Sequence, residues 1–342
     1  MTITNAGLSE LFARAAEAEV GHRQRALQRA ARSAYFWPEE AAGLVEAGRS
    51  LTELRSVGPW VADVILGWLD DPPEPPDPPE LRRDFLTQAD ARATLAENPD
   101  WRPALRADLQ MHTTYSDGKA TLRDMVDAAS RYGYEFVAIT DHSKGLRIAR
   151  GMDERRLAEQ AADIATVNGE LEREGRGLRV LHSIEMNLSP EGEGDMDAEG
   201  LARLDLVLGA FHSKLRETED QTGRYLAAVR NPAVHVLAHP RGRRFNVRLG
   251  LRADWPRVFE AALRAGTAVE IDATPDRQDL NVELLELARQ ADVWVSIGTD
   301  AHSTGELAFI EFGLAAAIRA GIRRERILNF LSREQLLAWA RR

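Results

Sequence analysis

Residues 108–118 read DLQMHTTYSDG, a short apolar run that passes directly into a histidine, several hydroxyl side chains and a carboxylate. From about Ala107 the run predicts a short buried strand, and the polar residues begin where that strand ends. His112 and Asp117 carry side-chain types that bind metal ions or transfer protons. The stretch therefore predicts a strand that delivers functional side chains at its carboxyl end.

The same pattern of strand and polar end recurs along the rest of the chain. We predict strands at residues 107–111, 136–140, 179–184, 206–210, 235–238, 268–271 and 294–297. Amphipathic helices are predicted between most of them, at residues 122–132, 154–174, 255–265 and 283–291. Alternating strands and helices indicate a parallel sheet with crossover helices, and this number of units favours a closed β/α barrel over an open sheet.

The candidate site residues lie at the carboxyl ends of these strands. Barrel enzymes build their active sites on that face, because the loops there converge over the mouth of the barrel. Five of the eight histidines in the chain fall at such ends, so we expect a multi-metal site. The candidate ligands are His112, Asp117, His142, Glu185, His212, His239, Asp300 and His302. The other histidines, interpreted as structural, are His22, His182 and His235.

The amino-acid composition limits the kinds of metal site that the chain can form. The chain has no cysteine, so disulfides and thiolate metal sites are excluded, and any metal must be held by His, Asp, Glu and neutral oxygens. Such ligands favour Mn²⁺, Zn²⁺ or Fe²⁺, and several divalent ions close together assist the hydrolysis of phosphoesters. No nucleophile elbow (G-x-S-x-G) and no Walker phosphate loop competes for the role.

Charge and hydropathy exclude further classes of protein. The net charge of −10 argues against a polycation that binds nucleic acid over its whole surface, so such binding must use a local patch, backbone amides or metals. No apolar run is long enough to cross a bilayer, and the N-terminus lacks a signal pattern. We therefore expect a cytoplasmic protein with no membrane partner.

Three segments are predicted along the chain. Residues 1–69 form an all-helical domain, because apolar residues recur there at helical spacing. Residues 70–82 begin DDPPEPPDPPE and are predicted to be an extended linker, since proline forbids helix and the acids repel one another. Residues 83–342 contain the β/α barrel.

Four motifs at the strand ends resemble the metal-binding motifs of the polymerase and histidinol phosphatase (PHP) superfamily. They stand in the family's order and read LQMHTTYSDG (109–118), VAITDHS (137–143), AHPRGR (238–243) and IGTDAHS (297–303). The resemblance covers residues 104–321. It implies an α/β fold, a distorted (β/α)7 barrel of the PHP type, with a multinuclear metal site that hydrolyses phosphoesters.

The resemblance also implies how the ligands divide among up to three divalent ions, for which Mn²⁺ is favoured over Zn²⁺ and Fe²⁺. The first ion would be held by Gln110, His112, Glu185 and Asp300. The second would be held by Glu185, His212 and His239, and the third by Asp117, His142 and His302. The residues expected to act in catalysis are His112, Asp117, His142, Glu185, His239 and Asp300.

Gln110 departs from the family pattern, which usually reads His-x-His at this point. A glutamine can still offer a neutral carbonyl oxygen, which suits Mn²⁺ or Mg²⁺ better than Zn²⁺ but binds more weakly than imidazole. We expect one of the ions to be loosely held and activity to be retained, because the other ligands are present. Loss of catalysis is the competing interpretation.

Within the superfamily the chain resembles in particular the C-terminal PHP domain of bacterial family X DNA polymerases. The similar segments are TDHSKGLRIARGMD (140–153) and VEIDATPDRQDL (269–280). Basic residues follow two candidate ligands, where cations can hold a phosphate backbone. The expected substrate-binding residues are Lys144, Arg147 and Arg150 after His142, and Arg241 and Arg243 after His239.

The helical domain resembles the N-terminal DNA-binding domain of the same polymerases. SLTELRSVGPWVADVILGWL (50–69) looks like a helix-hairpin-helix, whose turn presents backbone N–H groups to a DNA phosphate. Ser56, Gly58 and Trp60 are the expected DNA-binding residues, and Ser56 stands where the family usually has its first hairpin glycine. Residues 70–104 leave no room for the polymerase core itself.

Three functions compete on the sequence. The first is a metal-dependent phosphodiesterase, a 3′–5′ DNA exonuclease, with DNA or an oligonucleotide as its partner. The second is a small-molecule phosphomonoesterase similar to histidinol phosphatase, with the same barrel and ions. The third is a non-catalytic DNA-binding protein in which Gln110 marks a decayed site, and the other ligands argue against it. No particular oligomeric state is predicted.

Overall fold

The computed structural model of the protein describes residues 3–341 and divides into two compact units, with the boundary between Glu97 and Asn98. The sequence predicted this boundary at the end of the proline-rich stretch, residues 70–82. Residues 72–79 of that stretch have no helix or strand, but Glu80–Arg82 form a short 3₁₀ helix that packs on the first unit, where Arg82 forms an ion pair of 2.5 Å with Glu10. The boundary therefore lies later than predicted.

The first unit is all helical, as the periodicity predicts. Thr4 caps its first helix by accepting the N–H of Gly7, and Pro59 begins its fourth helix, where a missing N–H needs no partner. Phe12 and Trp37 are fully buried at the core, with their rings edge to face at 6.3 Å. The helices are α1 (Asn5–Glu17), α2 (Gly21–Ala34), α3 (Ala41–Glu46), α4 (Pro59–Asp70) and α5 (Gln88–Glu97).

The second unit is a barrel of seven parallel strands, as predicted. Each strand pairs with the next in chain order, and the strand ends differ from the predicted ones by a few residues. The strands are β1 (Ala107–Asp108), β2 (Phe136–Ile139), β3 (Arg179–Asn187), β4 (Leu206–Ala210), β5 (Val236–Leu237), β6 (Ala268–Asp272) and β7 (Val295–Gly298).

Helices precede, separate and follow these strands, and the four predicted ones are present with small shifts at their ends. Reciprocal capping boxes fix where two of the helices begin, at Thr121 and at Ser332. Within residues 3–341, none of the helices combines the length and the apolar character that crossing a membrane requires. The helices are α6 (Trp101–Ala104), α7 (Leu122–Ser130), α8 (Glu154–Arg173), α9 (Ala198–Leu201), α10 (Thr222–Arg230), α11 (Trp255–Ala265), α12 (Val282–Gln290), α13 (Ile310–Arg319) and α14 (Arg333–Ala340).

Alternation along β3 places an apolar core beneath the mouth of the barrel. Leu181 packs in this core together with Phe136 and Leu208. Successive side chains of a strand point to opposite faces, so Ser183 and Glu185 share the face of Leu181 and lie nearer the carboxyl end. Glu185 therefore stands above the apolar core, and it is fully buried.

The barrel closes between β7 and β1 through side chains rather than through a strand ladder. A parallel bridge joins Met111 to Ala301 beyond the strand ends, and the buried Asn329 spans the gap below it. Nδ2 of Asn329 donates to the carbonyl oxygens of Ala107 at 2.9 Å and Ile297 at 2.8 Å. Its Oδ1 accepts the N–H of Ile297 at 2.7 Å. One side chain thus satisfies backbone groups on both edges of the seam.

Asp108 ties the same seam closer to the mouth. Its Oδ2 accepts the hydroxyl of Thr299 at 2.6 Å. Its Oδ1 accepts the N–H of Thr299 at 3.2 Å and the N–H of Gln110 at 3.3 Å. The loops that follow the first and last strands are therefore held side by side, and both carry candidate ligands.

Replacing Asn329 should open this seam. We expect Asn329→Leu to lower the free energy of unfolding by at least about 3 kcal/mol, because buried backbone groups left without partners cost about 1–3 kcal/mol each. Urea unfolding followed by circular dichroism measures the loss.

Asn168 provides a matched control for this experiment. It makes two similar hydrogen bonds to the backbone of Val180, at 2.9 and 2.8 Å, but it is only half-buried. Water can replace those bonds, so Asn168→Ala should cost no more than about 1.5 kcal/mol. Equal losses in the two variants would contradict the role given to Asn329.

Candidate functional site

A buried carboxylate, Glu185 of β3, lies at the centre of the candidate metal site. Its Oε1 is 2.8 Å from Nε2 of His239 and 3.0 Å from Nε2 of His212. Its Oε2 is 3.2 Å from Nε2 of His112 and 3.5 Å from Nδ1 of His142. Imidazoles that follow four different strands therefore surround one carboxylate, which is the arrangement expected of a group that bridges two ions.

Asp117 and Asp300 extend the cluster beyond Glu185. Oδ1 of Asp300 is 2.9 Å from Nε2 of His112. Oδ1 of Asp117 is 3.2 Å from Nε2 of His302 and 3.5 Å from Nε2 of His142. In three sets the ligand atoms lie within 4.8 Å of one another and could hold an ion: His112, Asp117, His142 and His302; His142, Glu185 and His212; His112, Glu185 and Asp300.

These sets agree in outline with the expected division of ligands and differ from it in detail. His112 and His142 each belong to two sets rather than one. His239 joins the centre through its contact with Glu185. Gln110 is fully buried, and its Nε2 donates to Oε2 of Glu185 at 2.9 Å. The structure thus brings together every residue predicted as a metal ligand.

Buried polar atoms without hydrogen-bond partners indicate that the centre is built for cations. Nε2 of His112 and Oδ1 of Asp300 are 2.9 Å apart, yet they are not aligned as a hydrogen bond. Lone pairs of neighbouring ligands that converge on one point produce such contacts. Imidazoles and carboxylates together fit Mn²⁺, Fe²⁺ or Zn²⁺. The unpartnered atoms among residues 3–341 include Oε1 of Gln110, both ring nitrogens of His112, Nδ1 of His142 and Oδ1 of Asp300.

Hydrogen bonds behind two of the imidazoles determine which ring nitrogen faces the cluster. Nδ1 of His302 lies 2.7 Å from the carbonyl oxygen of Asp300, and Nδ1 of His212 lies 3.1 Å from Oδ1 of Asn187. Each acceptor favours the tautomer with the proton on Nδ1. The lone pair is then left on Nε2, the atom that faces a carboxylate of the centre.

His239 and Asp300 have backbone conformations that favour glycine. The φ angle is 26° at His239 and 49° at Asp300. Asp279 fixes the loop after His239, because its carboxylate accepts the N–H of Arg241 at 2.6 Å and the N–H of Arg243 at 3.0 Å. Such conformations cost on the order of 1–3 kcal/mol per residue and persist where the surrounding structure enforces them, often at functional sites.

Asp141 orders the first loop of the site, a role that the sequence did not predict. Its Oδ1 accepts the N–H of Thr113 at 2.8 Å and the N–H of Ser116 at 3.1 Å. Its Oδ2 accepts the hydroxyl of Thr113 at 2.6 Å and Nε2 of Gln160 at 2.7 Å. The buried carboxylate thereby fixes the loop that leads to Asp117.

Arg277, in the loop after β6, is another functional residue that sequence reasoning missed. Its Nη1 is 3.0 Å from Oδ2 of Asp300 and 3.6 Å from Oδ2 of Asp272. Burial alone would raise the pKa of Asp300, but the guanidinium holds it well below its usual range. Arg277 therefore keeps Asp300 ionised. The one sequence feature that could have pointed to Arg277 is its position in the motif of residues 269–280. An arginine in a loop is, however, equally expected to be a solvent-exposed surface residue.

Burial and neighbouring charges set the pKa values of the other ligands. Burial would lower the pKa of His239, but Glu185 outweighs it and raises the value to about 9. Burial lowers the pKa of His142 to about 3 in spite of the nearby carboxylates. Burial would raise the pKa of Asp117, but His302 and other imidazoles lower it to about 2. A cation would therefore have to displace the proton that His239 holds at neutral pH.

The basic residues predicted to bind substrate after His142 divide into two kinds. Lys144 is exposed but forms an ion pair with Glu154. Arg147 and Arg150 are exposed, and no carboxylate within residues 3–341 pairs with either guanidinium. Two cations of this loop are therefore available to a ligand.

Arg241 and Arg243, also predicted to bind substrate, instead hold their own loop together. Nη2 of the half-buried Arg241 donates to the carbonyl oxygen of Leu249 at 3.0 Å. Arg243 is buried, and its Nε donates to the carbonyl oxygens of Arg277 and Gln278 at 2.8 and 2.9 Å. The burial of Arg243 and its bonds to backbone oxygens argue against the substrate-binding role predicted for it.

The predicted DNA-binding residues of the first unit lie in the hairpin before α4. Ser56 has a φ of 67°, a left-handed conformation that explains the glycine usual at this position. Gly58 is the N-cap of α4, so no side chain of the cap occupies the first N–H groups of the helix. Trp60 packs on Arg23, whose guanidinium carbon is 5.4 Å from the ring centroid. The N-terminus of α4 thus has no side-chain cap, and the DNA-binding role of these residues stays a prediction.

Comparison with known proteins identifies the barrel. Residues 108–243 match the sequence profile of the PHP domain. Over these residues the chain is similar to the PHP family. It is 36% identical over 239 residues to the DNA polymerase/3′–5′ exonuclease PolX of Bacillus subtilis (strain 168), an alignment that covers 70% of this chain and 41% of that protein. The chain thus spans less than half the length of this relative.

The PHP domain is also similar to phosphatases. The chain is 25% identical over 237 residues to the probable phosphatase YcdX of Escherichia coli (strain K12). That alignment covers 67% of this chain and 91% of YcdX. A histidinol phosphate phosphatase from Lactococcus lactis, solved with zinc, L-histidinol and phosphate, superposes with a TM-score of 0.46 at 16% identity, over 64% of this chain and 94% of that one. That superposition is too loose to bear on activity. The expected PHP resemblance is confirmed over residues 108–243, and the described chain has a cluster of His, Asp and Glu side chains that could bind metal ions.

Binding of a cation should release protons from the centre. In the metal-free protein His239 is protonated at neutral pH, because its pKa of about 9 lies above that pH. An imidazole that ligates a metal must be neutral, so we expect Mn²⁺ binding to release about one proton from this residue. Calorimetric titration at neutral pH, in buffers of different ionisation enthalpy, measures the number. Proton release as large in His239→Gln as in the native protein would contradict this prediction.

Proposed function

We propose that the protein is a metal-dependent phosphodiesterase that removes nucleotides from the 3′ end of DNA. The observation that carries the proposal is the buried carboxylate of Glu185, ringed by four imidazoles at 2.8–3.5 Å. A loop with two unpaired arginines follows one of these imidazoles. The 36% identity to PolX, whose name includes a 3′–5′ exonuclease, supports DNA as the substrate.

The exposure of the ligands indicates where a substrate approaches. The side chains of Asp117 and His302 are 36% and 24% exposed, and that of His212 is 17% exposed. Those of His112 and Glu185 are fully buried. A phosphate group would therefore reach the centre from the side of Asp117 and His302, and the buried ligands would hold ions from the opposite side.

Divalent ions at this centre would neutralise charge on the phosphoryl group and lower the pKa of a water molecule. The residues of the chain supply the framework for that chemistry. Glu185 orients imidazoles through both of its oxygens. Arg277 keeps Asp300 ionised through its 3.0 Å ion pair. Asp141 fixes the loop that carries Asp117.

The loop after β2 is suited to hold a nucleic-acid backbone. Arg147 and Arg150 can each donate paired hydrogen bonds to a phosphate. Ile148 between them is 92% exposed, and a base or sugar could cover this apolar side chain. The root of the loop is fixed, since the hydroxyl of Ser143 donates to Asp195 at 2.7 Å. Arg147 and Arg150 therefore lie in a loop that is anchored by this hydrogen bond, shortly after the candidate ligand His142.

The first unit offers a separate contact for DNA. Arg25, Arg29 and Arg32 recur at helical spacing on α2, are exposed, and pair with no carboxylate within residues 3–341. The hydroxyl of Ser33 donates to that of Ser56 at 2.8 Å, which places this face of α2 beside the hairpin. Phosphate backbones bind such groups of cations and free helix N-termini.

A small-molecule phosphomonoesterase is the second candidate. The alignment that covers 91% of the probable phosphatase YcdX favours it, because such a protein needs the barrel alone. In that case the arginines of the loop after β2 would bind a single phosphate, and the first unit would take no part in the reaction.

A paired assay with Mn²⁺ tests the proposed function. A 5′-labelled single-stranded oligonucleotide and p-nitrophenyl phosphate are offered in parallel. We expect the oligonucleotide to shorten from its 3′ end with the higher kcat/KM, and the rate to fall at least about a thousandfold in His142→Ala, since two ligand sets lose a member. Hydrolysis of the monoester alone would favour the second candidate, and DNA binding without hydrolysis of either substrate would favour a non-catalytic protein.

The arginines of the loop after β2 should act on binding rather than on chemistry. We expect Arg147→Ala and Arg150→Ala each to raise KM for the oligonucleotide about tenfold with little change in kcat, because each loses a charge-assisted contact to phosphate. Initial rates over a range of oligonucleotide concentrations measure both constants. Arg155→Ala is the matched control, since this exposed arginine is paired with Glu159. A KM that is unchanged in the loop variants, or raised equally in the control, would contradict the role of the loop.

A further inference from the structure

The two polar atoms of the Gln110 side chain have different surroundings. Nε2 donates to Oε2 of Glu185 at 2.9 Å, on the side of the metal ligands. Oε1 is buried and has no hydrogen-bond partner within residues 3–341. A buried carbonyl oxygen without a donor is unfavourable, so this orientation leaves one end of the carboxamide unsatisfied.

Glu270 of β6 also has a buried side-chain oxygen without a hydrogen-bond partner in the described chain. It is fully buried in the layer beneath the ligands, and its Oε2 accepts the N–H of His239 at 2.8 Å. Its Oε1 is buried without a hydrogen-bond partner in the described chain. A Cβ placed on Gly298 would lie 2.4 Å from Oε1 of Glu270 and 2.9 Å from Oε1 of Gln110. The two unpartnered oxygens therefore face the same gap, which exists because residue 298 has no side chain.

With Glu270 ionised, a half-turn of the carboxamide would remove both deficits. The oxygen and nitrogen of a glutamine amide have nearly the same shape, and exchanging them needs only rotation about the last side-chain bond. After the exchange an N–H of Gln110 would point to Oε1 of Glu270. The carbonyl oxygen would then point to the place where His112, Glu185 and Asp300 could share an ion.

We propose that Glu270 is a positioning residue that turns the oxygen of Gln110 toward the ion shared by His112, Glu185 and Asp300, with Gly298 leaving room for the contact. The proposal rests on the metal centre of the proposed function. It assigns Glu270 and Gly298 roles in metal binding and explains how a glutamine serves at this position. Carboxylates behind metal ligands orient them in the same way in other metal sites.

The arrangement has a consequence for the kind of metal. The ion would meet oxygens from Gln110, Glu185 and Asp300 and one nitrogen from His112. Sites rich in oxygen favour Mn²⁺ or Mg²⁺ over Zn²⁺. Gln110→His would replace an oxygen with a nitrogen and keep an N–H for Glu270, so it should shift the preference of this one site toward Zn²⁺.

A double-mutant cycle on the full chain tests the contact between Gln110 and Glu270. Methionine keeps the length of both side chains and removes their hydrogen-bonding groups, so the variants are Gln110→Met, Glu270→Met and the double variant. The readouts are bound Mn²⁺ per chain after dialysis, by elemental analysis, and Mn²⁺ affinity by electron paramagnetic resonance titration. We expect each single variant to weaken one ion about tenfold or more, and the double variant to be no weaker than the worse single one. Glu270→Gln keeps an acceptor and should retain most of the affinity.

Asp205 provides the matched control. Glu270 also supports the backbone of His239, and Asp205 supports that of His182 in the same way, with a carboxylate to N–H distance of 2.9 Å. Asp205→Ala should leave Mn²⁺ binding unchanged. If Glu270→Met does not fold, Gly298→Ala replaces it, because the added Cβ would fill the gap between the two oxygens.

The outcomes separate this proposal from the proposed function. Effects of the two single variants that simply add, or a Glu270→Gln variant as weak as Glu270→Met, would overturn the positioning role while the metal centre stands. Equal loss of Mn²⁺ in Asp205→Ala would also overturn it. A native protein that binds no Mn²⁺ at all would overturn the proposed function itself, and this inference with it.

Discussion

The site depends on the cost of burying the Glu185 carboxylate. A carboxylate taken out of water is destabilised by several kcal/mol unless positive charge and hydrogen bonds compensate it. Here the protonated imidazole of His239 contacts Oε1 at 2.8 Å, and three further imidazoles lie within 3.5 Å of the carboxylate. Burial alone would raise the pKa of Glu185, but these imidazoles hold it well below its usual range. Folding of the barrel mouth and assembly of the site are therefore coupled, because neither the loops nor the carboxylate are satisfied separately.

Closure of the barrel decides whether ligands from its two ends meet. His112 follows β1 and Asp300 follows β7, so their 2.9 Å contact requires the first and last strands to be neighbours. Asn329 joins these strands through its side chain, as does the hydrogen bond between Asp108 and Thr299. Thr299 and Asp300 lie outside the strand pairing, between the end of β7 and the bridge at Ala301. Asp300 can therefore have the left-handed backbone that turns its carboxylate toward His112.

The sequence predicted most of the fold and the candidate ligands because both depend on local signals. A short apolar run followed by His, Asp or Glu marks a strand and its functional end, whatever the rest of the chain does. The features it missed depend on distant partners. Asn329 reads as a surface amide, Arg277 as a solvated cation and Arg243 as a substrate-binding residue, until the packing gives them partners. The unit boundary after Glu97 was missed because a change in composition at the prolines is not a break in packing.

Position 110 shows how a glutamine can replace a histidine ligand while the other contacts of the metal centre stay the same. A neutral imidazole offers a lone pair on one side and an N–H on the other. A carboxamide also has one acceptor and one donor end, so it can serve both functions where there is space to rotate and an acceptor behind it. The gap at Gly298 and the free oxygen of Glu270 meet those two conditions. A glutamine in place of histidine at position 110 therefore alters the metal preference of one ion site. It leaves no buried carboxylate without a partner, and an unpartnered buried carboxylate would destabilise the fold more than the loss of a ligand nitrogen does.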